Sequence, residues 1–262
     1  MDIAREIAKF EERGFTRERA EVNTLMEQAL VSIFRDFPGA YVLIGGASLV
    51  LYHASARHSA DLDLLARNAD LPSCQQVTTS LQRDLVPMGQ VMGLGTLTFQ
   101  VSSPESPDGK IFVFNADRQQ LFRVDLTGFG SALESEIENH PAEGTLGSSS
   151  IVRSVTKELL LLQKGEAFLT RRFVKARDAY DIHLLRNLGA TLNRNLQAHL
   201  HDTILSNGFD ADSILERIDQ ISSKACVVEL KPILPPEIYS PLEEKEFVPL
   251  RIALKDLYQE WL

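Results

Sequence analysis

A four-residue apolar run, Tyr41-Val-Leu-Ile44, stops at Gly45-Gly46, and helical periodicity resumes over Ala47–His53. A run that short, rich in β-formers and without polar alternation, suits a strand buried on both faces. The glycine pair turns the chain straight from that strand into a helix. Fifteen residues after Gly46 comes Asp61-Leu62-Asp63, inside His58–Leu65, where alternation predicts a second strand. Strand, Gly-Gly, helix and acidic strand in that order point to an α/β amino-terminal half.

The segments around this centre extend the pattern. Residues Asp2 to about Phe37 read as two helices, the second carrying an apolar stripe of Val22, Leu25, Met26, Ala29, Leu30 and Ile33. Pro38-Gly39 breaks it. Leu71–Leu85, with Pro72 near its start, predicts a further helix. Gly95–Val101, Lys110–Asn115 and Leu121–Thr127 predict strands separated by turn formers. The small polar stretch Glu143–Ser150 is the expected domain boundary, between residues 1–150 and 151–262. Beyond it the periodicity is helical, over Ile151–Thr170, Val174–Leu188 and onward to Leu262. The second domain is therefore expected to be all-helical.

Charge narrows the partners. The chain carries a net −9, which argues against a general nucleic-acid binder. Ile151–Leu200, however, holds nine bases against four acids, a local +5, leaving −14 for the remainder. A basic segment inside an acidic protein suits a phosphate-rich ligand locally. Cys74 and Cys226 show no metal-ligand spacing and read as incidental thiols of a reducing cytosol. No stretch reaches the roughly 18 apolar residues of a membrane span. The opening residues read as an amphipathic helix rather than a signal peptide, so a cytoplasmic protein without membrane partners is expected.

Within the α/β half, side chains two apart on a strand share a face, so Asp61 and Asp63 lie together while Leu62 and Leu64 point the other way. Paired carboxylates repel unless a cation compensates. Mg²⁺ is the natural candidate, because it binds one or two carboxylates together with substrate phosphates. Gly45 and Gly46 let backbone approach a phosphate closely, and the helix that follows supplies N–H donors and a positive dipole. Ser48 offers a hydroxyl nearby. Alternation in Phe122-Arg-Val-Asp-Leu126 sets Asp125 opposite Val124 and Leu126. A third carboxylate there could complete a two-metal site and take a proton from an attacking hydroxyl. Each feature alone is compatible with a tight turn or a solvated strand face; their order and spacing favour the site. The six histidines form no metal-ligand pattern, and no nucleophile–base pair, Walker loop or dinucleotide fingerprint occurs.

Ile44-Gly-Gly-Ala-Ser-Leu-Val-Leu-Tyr-His53, followed by Arg57-His-Ser-Ala-Asp-Leu-Asp-Leu64, resembles the first motif of the DNA polymerase β-like nucleotidyltransferases. More narrowly it is similar to the AbiEii-type toxins of bacterial toxin–antitoxin and abortive-infection systems. That family shows Gly-Gly-x-x-Leu-x-Leu and then Arg-x-Ser-x-Asp-x-Asp, whose places are filled here by Arg57, Ser59, Asp61 and Asp63. A family lysine on one helix precedes an Arg-Asp-x-Tyr-Asp stretch on the next. Lys164 and Arg177-Asp-Ala-Tyr-Asp181 correspond.

The resemblance spans roughly Tyr41 to Leu185. It implies a nucleotidyltransferase-like α/β (α+β) domain with a mixed sheet, followed by a helical domain. It implies that Asp61 and Asp63 bind metal, that Lys164 contacts the triphosphate, that Asp181 supports the site, and that Gly45, Gly46, Ser48, Arg57 and Ser59 face the nucleotide. Lys157, Lys164 and Arg171, spaced by seven along one helix stripe, each remain candidates for the reaching cation.

The expected reaction is Mg²⁺-dependent transfer of a nucleoside monophosphate from an NTP to an acceptor hydroxyl. The resemblance implies an RNA acceptor, notably the 3′ end of tRNA, and an antitoxin partner. Two other readings stand beside it: a small-molecule acceptor of the antibiotic type, suited to an acidic cleft, and an inactive nucleotide- or partner-binding module on the same fold.

Overall fold

The computed structural model describes residues 3–67, 70–128, 134–145 and 147–262. Leu146, within the expected boundary segment, lies outside them. The chain divides into two units, Met1–Ala54 with His58–Val155, and Ser55–Arg57 with Thr156–Leu262.

The first unit is built on a mixed sheet. Its elements run α1 (Ile3–Glu11), α2 (Arg17–Asp36), β1 (Tyr41–Ile44), α3 (Gly45–Tyr52), β2 (Asp61–Ala66), α4 (Cys74–Val91), β3 (Thr98–Val101), β4 (Gly109–Phe114), β5 (Gln120–Thr127), a 3-10 turn (Glu134–Glu136), β6 (Ile137–Glu143) and β7 (Ser149–Val155). The seven strands lie in the order β3-β4-β5-β2-β1-β7-β6. β1 is antiparallel to β2 and parallel to β7, while β2 is parallel to β5. β1 and β2, which carry Gly-Gly at one end and the acidic pair, therefore lie inside the sheet, between β5 and β7.

Local chemistry explains the helices that cover this sheet. Thr16 caps α2, accepting the Arg19 amide, and Ser73 opens α4 with a capping box completed by Gln76. The α2 stripe is buried as expected: Leu25, Met26, Ala29, Leu30 and Ile33 join Leu62, Leu64, Leu81, Leu85 and Val124 in one core. On β2 the apolar positions Leu62, Leu64 and Ala66 are fully buried, so the alternate positions are left for the site.

One expectation is corrected. Ile151 was expected to start a helix, but Ser149–Val155 is β7, and the helix begins at Lys157 behind an N-cap from Thr156. Residues 150 and 151 therefore fall within one strand. Its apolar spacing fits either structure, and pairing with β1 and β6 decides between them. β6 itself, Ile-Glu-Asn-His-Pro-Ala-Glu, carries no apolar alternation and is an edge strand, where Pro141 is tolerated.

The second unit is helical: α5 (Lys157–Thr170), α6 (Ala176–Asn187), α7 (Arg194–Ser206), α8 (Ala211–Asp219), α9 (Ser223–Leu230), α10 (Pro236–Glu244) and α11 (Val248–Leu257). Ser55–Arg57, from the connection between α3 and β2, belongs to it. Among the described residues, no helix is long and apolar enough to cross a membrane.

Candidate active site

In the first unit the acidic pair of β2 meets β5. The parallel register sets Asp61 beside Arg123 and Asp63 beside Asp125, so three carboxylates and a guanidinium share one face. Asp61 is open to solvent, with 43% of its side chain exposed against 14% for Asp125. Arg123 lies between them, with a terminal nitrogen 3.3 Å from Asp61 Oδ2 and Nε 2.5 Å from Asp125 Oδ1. The latter is a charge contact without the alignment of a hydrogen bond. Burial alone would lower the Arg123 pKa, but Asp125, Asp61 and Asp63 outweigh it and hold the guanidinium above its ordinary value. Lys110, opposite Asp125 on β4, reaches to 3.8 Å of Asp125 Oδ2.

The glycine pair abuts this face. β1 pairs Ile44 with Asp63, and the next residue, Gly45, adopts φ +74°, the left-handed region that suits glycine. A Cβ on Gly45 would fall 2.4 Å from Asp63 Oδ2. The backbone angle therefore favours glycine, and a larger residue would also displace the Asp63 carboxylate. Helix α3 begins at Gly45 itself, and its N-cap, Ile44, provides no side-chain hydrogen bond. The first-turn amides are thus the orphan donors of a helix N-terminus, adjoining the carboxylate face.

Of the other residues expected to face the nucleotide, Gly46 lies buried in the first turn of α3 and Ser59 is half-buried just ahead of β2. Ser48 is fully buried, and its hydroxyl has no hydrogen-bond partner among the described residues. It sits on the packed face of α3, where a ligand in solvent does not reach it.

The donor set suits a hard divalent cation: carboxylate oxygens on an accessible strand face, beside a cradle that a Cβ would fill. Asp61 and Asp63 are the residues that would hold one. The third carboxylate does not extend them into a cage. Among the described residues no three His, Cys, Asp or Glu side chains converge to hold a metal, and Asp125 is engaged by Arg123 and Lys110.

The second motif forms a buried charge cluster inside the helical unit. Arg57, 5% exposed, grips Asp181 of α6 with both arms: Nε to Oδ1 at 2.6 Å, and a terminal nitrogen to Oδ2 at 3.0 Å. Lys164 of α5 sits 2.9 Å from Asp181 Oδ2 and 3.7 Å from Asp178 Oδ1. Arg171 approaches the other oxygen of Asp178 at 2.9 Å. Burial pushes the Asp181 carboxyl up, but the Arg57 and Lys164 charges and hydrogen bonds reverse this and hold it below its ordinary value. For Asp178 burial prevails over Lys164 and Arg171, and its carboxyl is pushed up. Arg57 thus serves Asp181 here rather than standing open for a nucleotide.

The cluster separates the three candidate cations on α5. Lys157 donates to the Leu188 carbonyl at 2.9 Å, closing the end of α6. Arg171 holds Asp178, and only Lys164 lies against Asp181. Sequence reasoning missed Arg123 and the burial of Asp178. Strand alternation already put Arg123 on the face of Asp125, but its meeting with Asp61 depends on β2–β5 pairing.

Comparison with known proteins identifies the fold and the family. Three solved structures resemble the whole chain. A candidate nucleotidyltransferase from H. pylori matches at TM-score 0.56 and 16% identity, over 94% of this chain and 97% of that one. JHP933 from Helicobacter pylori matches at 0.51 and 17%, over 90% and 91%. MenT4, a nucleotidyltransferase toxin from Mycobacterium tuberculosis H37Rv, matches at 0.50 and 14%, over 98% and 94%. At these identities they establish the fold. No curated protein matches the chain in sequence. The sequence profile of the AbiEii nucleotidyl transferase toxins, assigned to type IV toxin–antitoxin systems, matches residues 28–255. With residues 28–255 of its 262 inside that profile, the chain belongs to the AbiEii family of nucleotidyltransferase toxins.

Proposed function

We propose that this toxin transfers a nucleoside monophosphate from an NTP to a hydroxyl of RNA, with the 3′ end of tRNA as the acceptor and Mg²⁺ held by Asp61 and Asp63. The observation that carries the reading is the approach of Gly45 to Asp63 on a strand face shared with Asp61. It sets helix N–H donors beside two carboxylates, the pairing that a metal-bound triphosphate requires. Mg²⁺ bound there would offset charge on the phosphates as the leaving pyrophosphate separates.

The chain's own groups divide the remaining work. The first-turn amides of α3 take phosphate oxygens, and Gly45 keeps that approach open. Arg123 orients the Asp61 and Asp125 carboxylates. Asp125 is the proposed acceptor for the proton of the attacking hydroxyl, whose oxygen forms a bond to the α-phosphorus as the bond to the bridging oxygen breaks. In the helical unit, Lys164 is the proposed triphosphate cation, and Asp181, fixed by Arg57, positions it. Gly46 and Ser59 complete the proposed nucleotide contacts, and Ser48, fully buried, is set apart from them. An antitoxin partner follows from the family, and the +5 segment over Ile151–Leu200 supports an RNA backbone as ligand.

A small-molecule acceptor is the second reading, favoured by the net charge of −9, which suits a cationic substrate. Incubation with each α-³²P-labelled NTP, Mg²⁺ and total tRNA, beside an Asp61→Ala control, separates the two. Label in tRNA that vanishes in the control supports the proposal. NTP binding without tRNA labelling moves the acceptor to a small molecule. Transfer that persists at full rate in Asp61→Ala refutes the mechanism.

A further inference from the structure

The loop between α5 and α6 reads Arg171-Arg172-Phe173-Val174-Lys175, and Arg177 follows in the first turn of α6. Both ends of this loop are braced by side chains from other helices of the same unit. Arg217 of α8 donates to the Phe168 carbonyl at 3.0 and 2.8 Å and to the Arg171 carbonyl at 2.7 Å. Glu229 of α9 accepts the Ala176 amide at 2.8 Å with one oxygen and lies 3.5 Å from Lys175 Nζ with the other. A five-residue connection held at both ends loses little further freedom when its tip binds a ligand.

At that tip Phe173 is 63% exposed, and the Arg172 guanidinium carbon lies 5.1 Å from its ring centroid. An isolated exposed apolar side chain requires no explanation. This one is distinguished by its surroundings. Arg171 and Lys175 have carboxylate partners, in Asp178 and Glu229. Arg172 and Arg177 are both exposed, and neither has a carboxylate at ion-pair distance among the described residues. The loop therefore presents an exposed aromatic ring with the Arg172 guanidinium against it, and the exposed Arg177 follows four residues on, at the start of α6. An aromatic ring stacks on any base, and a guanidinium pairs bidentately with phosphate. Positive charge beside the ring matches a polyanion with exposed π-faces better than it matches an apolar peptide.

We infer that the Arg172–Phe173 loop is a stacking platform for an unpaired base of single-stranded RNA, with Arg172 and Arg177 taking the adjoining phosphates. The inference rests on the RNA-acceptor reading and adds where and how the strand is held.

The test is binding of a fluorescein-labelled single-stranded oligoribonucleotide to the full-length protein, followed by anisotropy over a salt series. Phe173→Ala is expected to weaken binding about tenfold, the scale of one stacked base. Phe173→Trp should keep the affinity, and its added indole emission, read against Trp261 of the wild type, should be quenched on binding. Arg172→Ala and Arg177→Ala should each reduce the slope of log affinity against log salt by roughly 0.7. All three sites lie in solvent, and unchanged melting curves verify the fold.

Equal affinity for Phe173→Ala and wild type, with no quenching in Phe173→Trp, overturns the platform even if RNA is labelled in the transfer assay. Polyglutamate competing as well as RNA, with equal sensitivity to Phe173→Ala, overturns it too and marks a protein-docking surface. A wild type that neither binds nor labels RNA, while labelling a small molecule, brings down the acceptor reading and the platform with it.

Discussion

A Cβ on Gly45 would lie 2.4 Å from the Asp63 carboxylate, so the glycine that ends one strand and the aspartate of the next are shaped to each other. Gly45→Ala therefore meets two obstacles, a φ of +74° and a carboxylate in the way. The left-handed angle alone costs about 1–2 kcal/mol. Thermal melting should show a loss of at least that size, and transfer activity should fall further than stability explains, because Asp63 must move to make room. A Gly45→Ala protein with wild-type activity would contradict the assignment of this cradle.

Asp61 and Asp63 are like charges on one strand face, and Asp61 is 43% exposed. Removing the Asp61 charge relieves repulsion with Asp63 but gives up a partly exposed ion pair with Arg123, and the two effects on stability offset each other. Asp61→Asn is expected to leave the melting temperature unchanged or slightly higher while transfer drops by about a thousandfold or more, as when a group acting in the transition state is lost. Mg²⁺-dependent NTP binding, followed by calorimetry, should weaken in parallel.

Asp181 sets a sign for acid stability. Its folded pKa is depressed below its unfolded value, so its contribution is present above the unfolded value, near 3.9, and is lost as pH falls through the lower folded one. Asp178, raised by burial, works the other way: ionising it above the unfolded pKa opposes folding. Asp181→Asn should accordingly reduce stability at neutral pH by about 3–5 kcal/mol, because Arg57 is left buried without its partner, and should flatten the acid limb below about pH 4. Urea denaturation at pH 3 to 7 reads both effects. An unaltered acid limb in Asp181→Asn would remove this carboxylate from the account.

Lys157 and Lys164 lie seven residues apart on one helix, yet their substitutions should diverge. Lys157→Met loses an exposed bond to the Leu188 carbonyl and should change stability by less than about 0.5 kcal/mol, with transfer intact. Lys164→Met leaves Asp178 and Asp181 short of a cation and should lower both melting temperature and transfer. Lys164→Arg keeps the charge in a wider, planar form. It should recover stability more than turnover if the lysine also contacts phosphate, so a parallel recovery of both would assign Lys164 a structural role alone.

Much of the carboxylate face was readable before any fold was known, because its geometry is local. Strand alternation alone puts Asp61 with Asp63 and Arg123 with Asp125, and glycine at position 45 announces the need for a close approach or a left-handed angle. The α2 stripe was likewise legible in its three- and four-residue spacing. Where a segment's pattern fits two structures, as at Ile151–Val155, or fits neither, as in polar β6, the outcome belongs to its neighbours in the sheet.

Tertiary structure decided what local periodicity cannot carry. Asp63 stands beside Asp125 only because β2 and β5 run parallel, and Arg57 meets Asp181 across 124 residues of chain. The stripe of Lys157, Lys164 and Arg171 is uniform along its own helix; the placement of α6 against it gives each cation a different partner. Which residues share a face follows from backbone geometry over a few residues and is written in the spacing of the chain. Which faces meet is set by burial and pairing between distant segments, and only the folded chain contains that information.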